Sequence, residues 1–297
     1  MDKLSQTIKL RDGRKLGYAE YGDTEGKPLF YFHGNPGTRT EAKMSALTLS
    51  EKTARIISID RPGFGLSDYK GDRTILDWSD DVEELADSLG YKKFSILGIS
   101  GGSPYVLGCA YKIPHRCQSV GIIAGISPIN KHTRSLEGVS KKMVFVNKKL
   151  PFLFRTFFWM KMARHARSED ESRIRKKMLT HVTKNFSKPD KKLLNRPRIM
   201  DILCERMRDI GRISTKGTMC DRKLIFRNWG FKLEEISKKV KVYLWQGYFD
   251  KTVPISIGKY MSKKIPNCKA EFFPEEGHIS VCINRINEIA TCLTKSL

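Results

Sequence analysis

Ser95 to Tyr105 reads SILGISGGSPY: a short apolar run, then one serine among glycines, then a proline. The run has the character of a strand buried on both faces, and GGSPYVLGCAYKIPHR, which follows it, reads as a helix stopped by Pro114. Gly98-Ile99-Ser100-Gly101-Gly102 therefore fits G-x-S-x-G with a strand before it and a helix after it. The glycines have a physical reason. A strand turning straight into a helix forces the serine into a strained backbone conformation, and side chains beside it would clash with the turn. The pattern alone arises by chance. Its meaning depends on whether the rest of the chain supplies a base, an acid and an anion-binding loop.

Working outward, TIKLRDGRKLGYAEYG holds two strand-like runs around Asp12-Gly13, a hairpin signal. PLFYFHG, ARIISID, KFSILGIS, CQSVGIIAGIS, VKVYLWQG and CKAEFFPEEGH are further short apolar runs rich in β-branched and aromatic residues. Between them lie helical patterns. In LDWSDDVEELADSLG, Val82, Leu85, Ala86 and Leu89 fall on one face and Gly90 stands where the helix ends. HISVCINRINEIATCLTKSL reads as one terminal helix with Val281, Ile283, Ile286, Ile289 and Leu293 near a single stripe. This alternation predicts a three-layer α/β fold, a mostly parallel sheet with helices on both faces. It breaks from Lys131 to Gly230, where no clear strand appears and several helical stretches do. That predicts a core of residues 1–130 and 231–297 with a helical cap, or lid, inserted at 131–230.

The formal net charge is +23, and residues 131–230 carry 27 Lys/Arg against 9 Asp/Glu, so 18 of the excess positive charges lie in the insertion. A solvated basic face is the plainer reading. Attraction to an anionic membrane surface is the second. Nucleic acid is disfavoured, because the aromatic residues sit in one apolar block and do not interleave with a basic stripe. No apolar run reaches the roughly 18–20 residues that span a bilayer, and the N-terminus MDKLSQTIKLRDGRK lacks the apolar stretch of a secretory signal. The expectation is a cytoplasmic protein. Seven scattered cysteines with no close pair suggest neither a disulfide framework nor a zinc site. No Walker motif or dinucleotide fingerprint competes, so no cofactor is expected.

A serine hydroxyl is a poor nucleophile and needs a base held in turn by an acid. Of six histidines, His33 ends a strand before Gly34 and reads as structural; His115 follows a helix-stopping proline; His132, His165 and His181 fall in the insertion. His278, in PEEGHIS, lies after the last strand, at the sheet edge where the serine turn belongs, and is read as the base. A helix-capping or surface histidine is its alternative. Asp250, in VYLWQGYFDKTVP, lies three residues past Gly247 and is read as the acid, against the alternative of a turn or cap aspartate. Glu275 and Glu276 are too near His278 in sequence to reach its ring without a special turn. Two backbone amides must also face the oxygen that gains charge. Gly101 would supply one and Asn35, in HGNPG after the third strand, the other.

Taken together, FHGNPG, DRPGFGLSD, GISGG, GYFDKTVP and EEGHIS, in that order, resemble the α/β-hydrolase superfamily over nearly the whole chain, the helical insertion excepted. The resemblance implies a triad of Ser100, Asp250 and His278, a cap between the sixth and seventh strands, and a site-shaping turn at Asp60–Asp68. HGNPG resembles the corresponding loop of haloalkane dehalogenases. Those enzymes and epoxide hydrolases use an aspartate nucleophile, so Ser100 disfavours both chemistries. The turn also lacks the bulky tryptophan-bearing elbow of proline iminopeptidases, which ranks peptide cleavage low.

The function implied is a serine hydrolase acting on a carboxylic ester or related acyl bond of a small, apolar substrate, through an acyl-enzyme on Ser100. Carbon–carbon hydrolysis, thioesterase or aminopeptidase activity and a non-catalytic receptor role stay open. MVFVNKKLPFLFRTFFWMKM, within the insertion, is dense in Phe, Met and Trp. Phe157 and Trp159 are expected to line an apolar substrate pocket. Simple packing of the lid onto the core is the competing reading, and docking on an anionic membrane beside Lys148, Lys149, Arg155 and Lys161 is a third.

Overall fold

The computed structural model describes residues 3–50, 53–136, 172, 174–176, 179–180, 184, 186–212 and 215–295. Phe157, Trp159, His165 and His181 lie outside the described residues. Each expected strand forms: β1 Gln6–Lys9, β2 Lys15–Gly22, β3 Pro28–Phe32, β4 Arg55–Ile59, β5 Phe94–Ile99, β6 Cys117–Ile123, β7 Lys241–Gly247 and β8 Cys268–Phe273. They make one sheet in the order β1-β2-β4-β3-β5-β6-β7-β8. The β1–β2 and β2–β4 pairings are antiparallel and the other five are parallel. The continuous apolar runs are explained by burial. All six residues of β5 are out of water, whereas the edge strand β8 alternates between half-buried and exposed positions.

Helices close both faces. On one, α2 (Trp78–Ser88), α3 (Ser103–Lys112) and α8 (Ile255–Lys264) bury Val82, Leu85, Val106, Ile257 and Met261. Trp78 anchors that side with its ring edge-on to Phe32 at 5.4 Å and to Tyr105 at 6.3 Å. Burial of a side chain this size contributes at least about 1.5–3 kcal/mol. On the other face, α1 (Ala42–Ala46), α9 (Ser280–Asn284) and α10 (Ile286–Thr294) pack Met44, Ile283, Ile289 and Leu293. The single terminal helix expected from sequence is thus two, broken at Arg285 with φ −107° and ψ 5°. Val281 and Ile283 are two residues apart and cannot share a face with Ile286 on one continuous helix. The break resets the phase, and all five apolar residues reach the same core.

Between β6 and β7 the described residues include the helices α4 (Lys131–Ser135), α5 (Lys188–Leu194), α6 (Pro197–Arg212) and α7 (Thr215–Ile225). Leu193, Leu194 and Ile199 join the core that covers the second face. α7 sits directly on the Asp60–Asp68 turn, where a Cβ on Gly63 would lie 2.8 Å from Gly217 Cα.

The strand order determines where a site can form. The chain passes from β3 outward to β4, then crosses back to β5 on the other side of β3. At such a reversal the loops leaving the two strands diverge and open a crevice at their carboxyl ends. Asn35 follows β3, Ser100 follows β5, and Phe32 pairs with Gly98. Asp250 and His278 follow the neighbouring strands β7 and β8, which stay paired as far as Gly247 and Phe273.

Candidate active site

Ser100 has φ 51°, left-handed geometry that a side chain bearing Cβ adopts only under constraint. The constraint is visible in its neighbours. β5 passes into a single 3-10 turn, Ser100–Gly102, and then into α3 with one hydrogen-bonding hydroxyl as the hinge: Ser103 Oγ donates to Ser100 O at 2.8 Å and accepts from Ile126 N at 2.8 Å. A Cβ on Gly98 would lie 2.8 Å from Gly102 O, and one on Gly102 would collide with the Phe32 carbonyl. Both glycines of the motif are therefore steric requirements of the turn.

His278 and Asp250 meet as expected, with Nδ1 of the ring 2.8 Å from Asp250 Oδ2. Both residues are under a tenth exposed. The other carboxylate oxygen, Oδ1, accepts from the amides of Thr252 and Val253, each at 2.8 Å. Asp250 thus holds its own turn with one oxygen and the imidazole with the other. Burial alone would disfavour a charged His278 ring. The Asp250 carboxylate, followed by Asp190 and Glu41, outweighs it and raises the pKa above the ordinary imidazole value. No hydrogen bond joins the Ser100 hydroxyl to His278; the two share the carboxyl edge of the sheet.

The His33–Gly37 loop is held from several sides. His33 is fully buried, and its Nδ1 bonds to Gly34 O at 2.8 Å while Nε2 accepts from Arg61 N at 3.3 Å. Burial and the nearby Arg61 guanidinium push its pKa well down, so the ring stays neutral. Arg61 donates to His33 O at 2.5 Å and to Gly34 O at 2.9 Å. Because the Gly34–Asn35 peptide is planar and trans, a carbonyl fixed toward Arg61 turns the Asn35 N–H the opposite way. Gly101 lies against Asn35: a Cβ there would be 2.9 Å from Asn35 N and 2.8 Å from Asn35 Cβ. The structure therefore brings Asn35 and Gly101 face to face beside Ser100.

Sequence reasoning missed the charged residues behind this loop. Asp221, on α7, is fully buried and pairs with Arg61 Nε at 2.7 Å and with Arg73. Tyr105 Oη donates to it at 2.6 Å, and the Asn35 side-chain amide reaches it at 3.4 Å. Burial would raise the Asp221 pKa, but the two arginines and the Tyr105 bond dominate and hold it well below the usual carboxylate range. Glu41 accepts from Gly34 N at 2.8 Å and pairs with Arg206 of α6 at 2.5 Å, and Arg206 also donates to Pro36 O at 2.6 Å. Arg61 lay within a quoted motif. Asp221 and Arg206 carried no spacing signal, since the nearest of these partners in sequence, Tyr105, is 116 residues away.

A cleft of about 960 Å³, lined by Asn130, His132, Phe226, Phe231, Tyr260 and Lys264 among others, contains none of the candidate residues. Among the described residues no group of three or more His, Cys, Asp or Glu is arranged to hold a metal, and no helix is long and apolar enough to cross a membrane.

With this sheet and this edge in place, comparison with known proteins assigns the class. The alpha/beta hydrolase fold family matches residues 27–283, and the chain belongs to it. The crystal structure of a bromoperoxidase from Bacillus anthracis superposes with a TM-score of 0.72 at 19% identity, covering 98% of this chain and 99% of that one. An esterase from Exiguobacterium antarcticum gives 0.68 at 18%, covering 98% of each. At these identities the likeness is one of fold. A proline iminopeptidase of Xylella fastidiosa is 30% identical over 118 residues, which is 39% of this chain and 37% of the relative's length.

Proposed function

We propose that this α/β hydrolase is a serine hydrolase that cleaves a carboxylic ester or related acyl bond of a small, apolar substrate, with Ser100, His278 and Asp250 as its triad. The observation that carries the reading is Ser100 itself, a non-glycine residue at φ 51° on the turn between β5 and α3. Strain of this kind is retained where function requires the side chain in that place.

In this reading Ser100 Oγ attacks the carbonyl carbon and its proton passes to His278 Nε2, the nitrogen left when Nδ1 is committed to Asp250. The carbonyl oxygen, now negative, takes hydrogen bonds from the amides of Asn35 and Gly101. His278 then protonates the leaving alkoxide as the tetrahedral intermediate collapses to the acyl-enzyme. Water adds by the same route, giving up its proton to His278 and releasing the acid and the free serine. Asp250 fixes the ring tautomer and stabilises the imidazolium. The segment bearing Phe157 and Trp159 is proposed to line the acyl pocket, and the basic insertion to favour anionic surfaces.

Initial rates on p-nitrophenyl esters from acetyl to dodecanoyl, with the Ser100→Ala protein as blank, test the reading. Turnover that vanishes in the variant supports it; turnover that survives refutes it. A second reading, N-terminal proline release, draws on the proline iminopeptidase relative, although Gly101 stands directly after the serine here. Hydrolysis of proline p-nitroanilide, lost in Ser100→Ala and faster than any ester, would favour it over esterase activity.

A further inference from the structure

Ser187-Lys188-Pro189-Asp190 is built like a helix start, with a capping serine, a proline in the first turn and an acid three residues on. α5 does begin there, but the expected reciprocal cap is absent: the Ser187 side chain makes no capping bond. Its hydroxyl donates instead to Asp190 Oδ2 at 2.6 Å. The Asp190 carboxylate, 1% exposed, then turns away from its own helix and accepts three consecutive backbone amides from the far end of the chain. His278 N reaches Oδ2 at 3.0 Å, and Ile279 N and Ser280 N reach Oδ1 at 2.9 Å each. Four donors saturate the two oxygens, two on each, so the buried carboxylate is fully paired. Gly277 is part of the fit, because a Cβ there would run into Ser187 Oγ and the Asp190 carboxylate.

His278 is therefore gripped twice, through its ring by Asp250 and through its backbone by Asp190. The charged groups that face the ring come from three elements: Asp250 after β7, Asp190 on α5, and Glu41, which is paired with Arg206. Cys282, on the helix that His278 precedes, donates its thiol to His278 O at 3.5 Å and is held neutral by burial.

We propose that Asp190, supplied by the insertion between β6 and β7, is a positioning residue for the base: it fixes the His278 backbone and adds a second negative charge in support of the imidazolium. The proposal rests on the triad reading above. It makes the seating of α5 and the competence of His278 one and the same event.

The test is the rate of labelling by a fluorophosphonate, which reports an activated serine without knowledge of the substrate, measured between pH 5 and 9. The full chain is expected to label at Ser100 and Ser100→Ala to remain unlabelled. Asp190→Asn should label up to about 10²-fold more slowly, the scale of a base displaced by about 1 Å, and its pH midpoint should move to lower pH because a negative charge near the ring is gone. Asp190→Glu, which restores the charge, should bring the midpoint back. Wild-type rate and midpoint in Asp190→Asn overturn the proposal while leaving the triad standing. Absence of label on wild-type Ser100 sinks the triad reading and this one with it. Should Asp190→Asn fail to fold, Ser187→Ala takes its place: slower labelling at an unchanged midpoint supports the proposal, and an unchanged rate overturns it.

Discussion

Arg61 and Asp221, 160 residues apart in sequence, form an ion pair 2.7 Å long with both side chains wholly out of water. The same guanidinium holds the His33 and Gly34 carbonyls, so the geometry of the His33–Gly37 loop depends on a carboxylate from α7. Removing one member of such a pair leaves an uncompensated buried charge, which costs about 3–5 kcal/mol. Asp221→Ala is expected to lose that much in urea unfolding, and Asp221→Ala with Arg61→Met should lose less than the two single changes added together.

The pH dependence of this pair has a definite sign. The folded pKa of Asp221 lies below its unfolded value of 3.8, so its contribution to stability is complete above that value and falls away only as pH drops further. The stability difference between wild type and Asp221→Asn should therefore stay constant from pH 5 to 8 and shrink in stronger acid. Unfolding curves across that range check it.

For His278 the shift itself is opposite in direction. Its pKa is raised, chiefly by Asp250 against the penalty of burial, and the ring must be neutral to act as base. Turnover should climb with pH through a midpoint above 6.5, the unperturbed imidazole value. Replacing Asp250 by Asn should lower that midpoint and the maximal rate together, read from kcat/KM against pH.

Strain at Ser100 predicts a stability difference between two inactive variants. Glycine accepts φ 51° without penalty and alanine does not. Both Ser100→Gly and Ser100→Ala should be inactive, with the glycine protein the more stable by about 1 kcal/mol. Equal melting in the two would show that the turn is unstrained.

Gly101→Ala tests the anion-binding pair. The added methyl would press on Asn35, 2.8 Å from its Cβ, and spread the two amides. Loss of one such donor costs about 10²–10³ in kcat. That drop is expected together with a loss of thermal stability, because the methyl meets the Asn35 backbone N at 2.9 Å.

Strands were legible in the sequence because each is a short apolar run bounded by glycine, proline or charge, and a buried parallel sheet leaves that trace. Ser100, Asp250 and His278 were legible as candidates for a related reason: each follows a strand at the carboxyl edge of the sheet, where chain order locates the residue. Asp250 and His278 indeed meet. The charged frame left no such trace. Arg61, Asp221, Arg206 and Asp190 work through partners far away in the chain, and a buried ion pair has no sequence period. Asp190 was further disguised, since S-x-x-D signals a local cap and the carboxylate instead turns to a distant loop. Terminal-helix phasing failed on a single residue, Arg285, because burial of both Val281 and Ile283 required a break that propensity does not announce.

The central claim is that Ser100 is the nucleophile, and the most direct measurement is intact-protein mass after brief exposure to a p-nitrophenyl ester, followed by peptide mapping. One acyl group on the peptide bearing Ser100, accumulating at low pH where His278 is charged and deacylation slows, is the predicted result. An acyl group elsewhere, or ester turnover with no acylated Ser100 at any pH, contradicts the account.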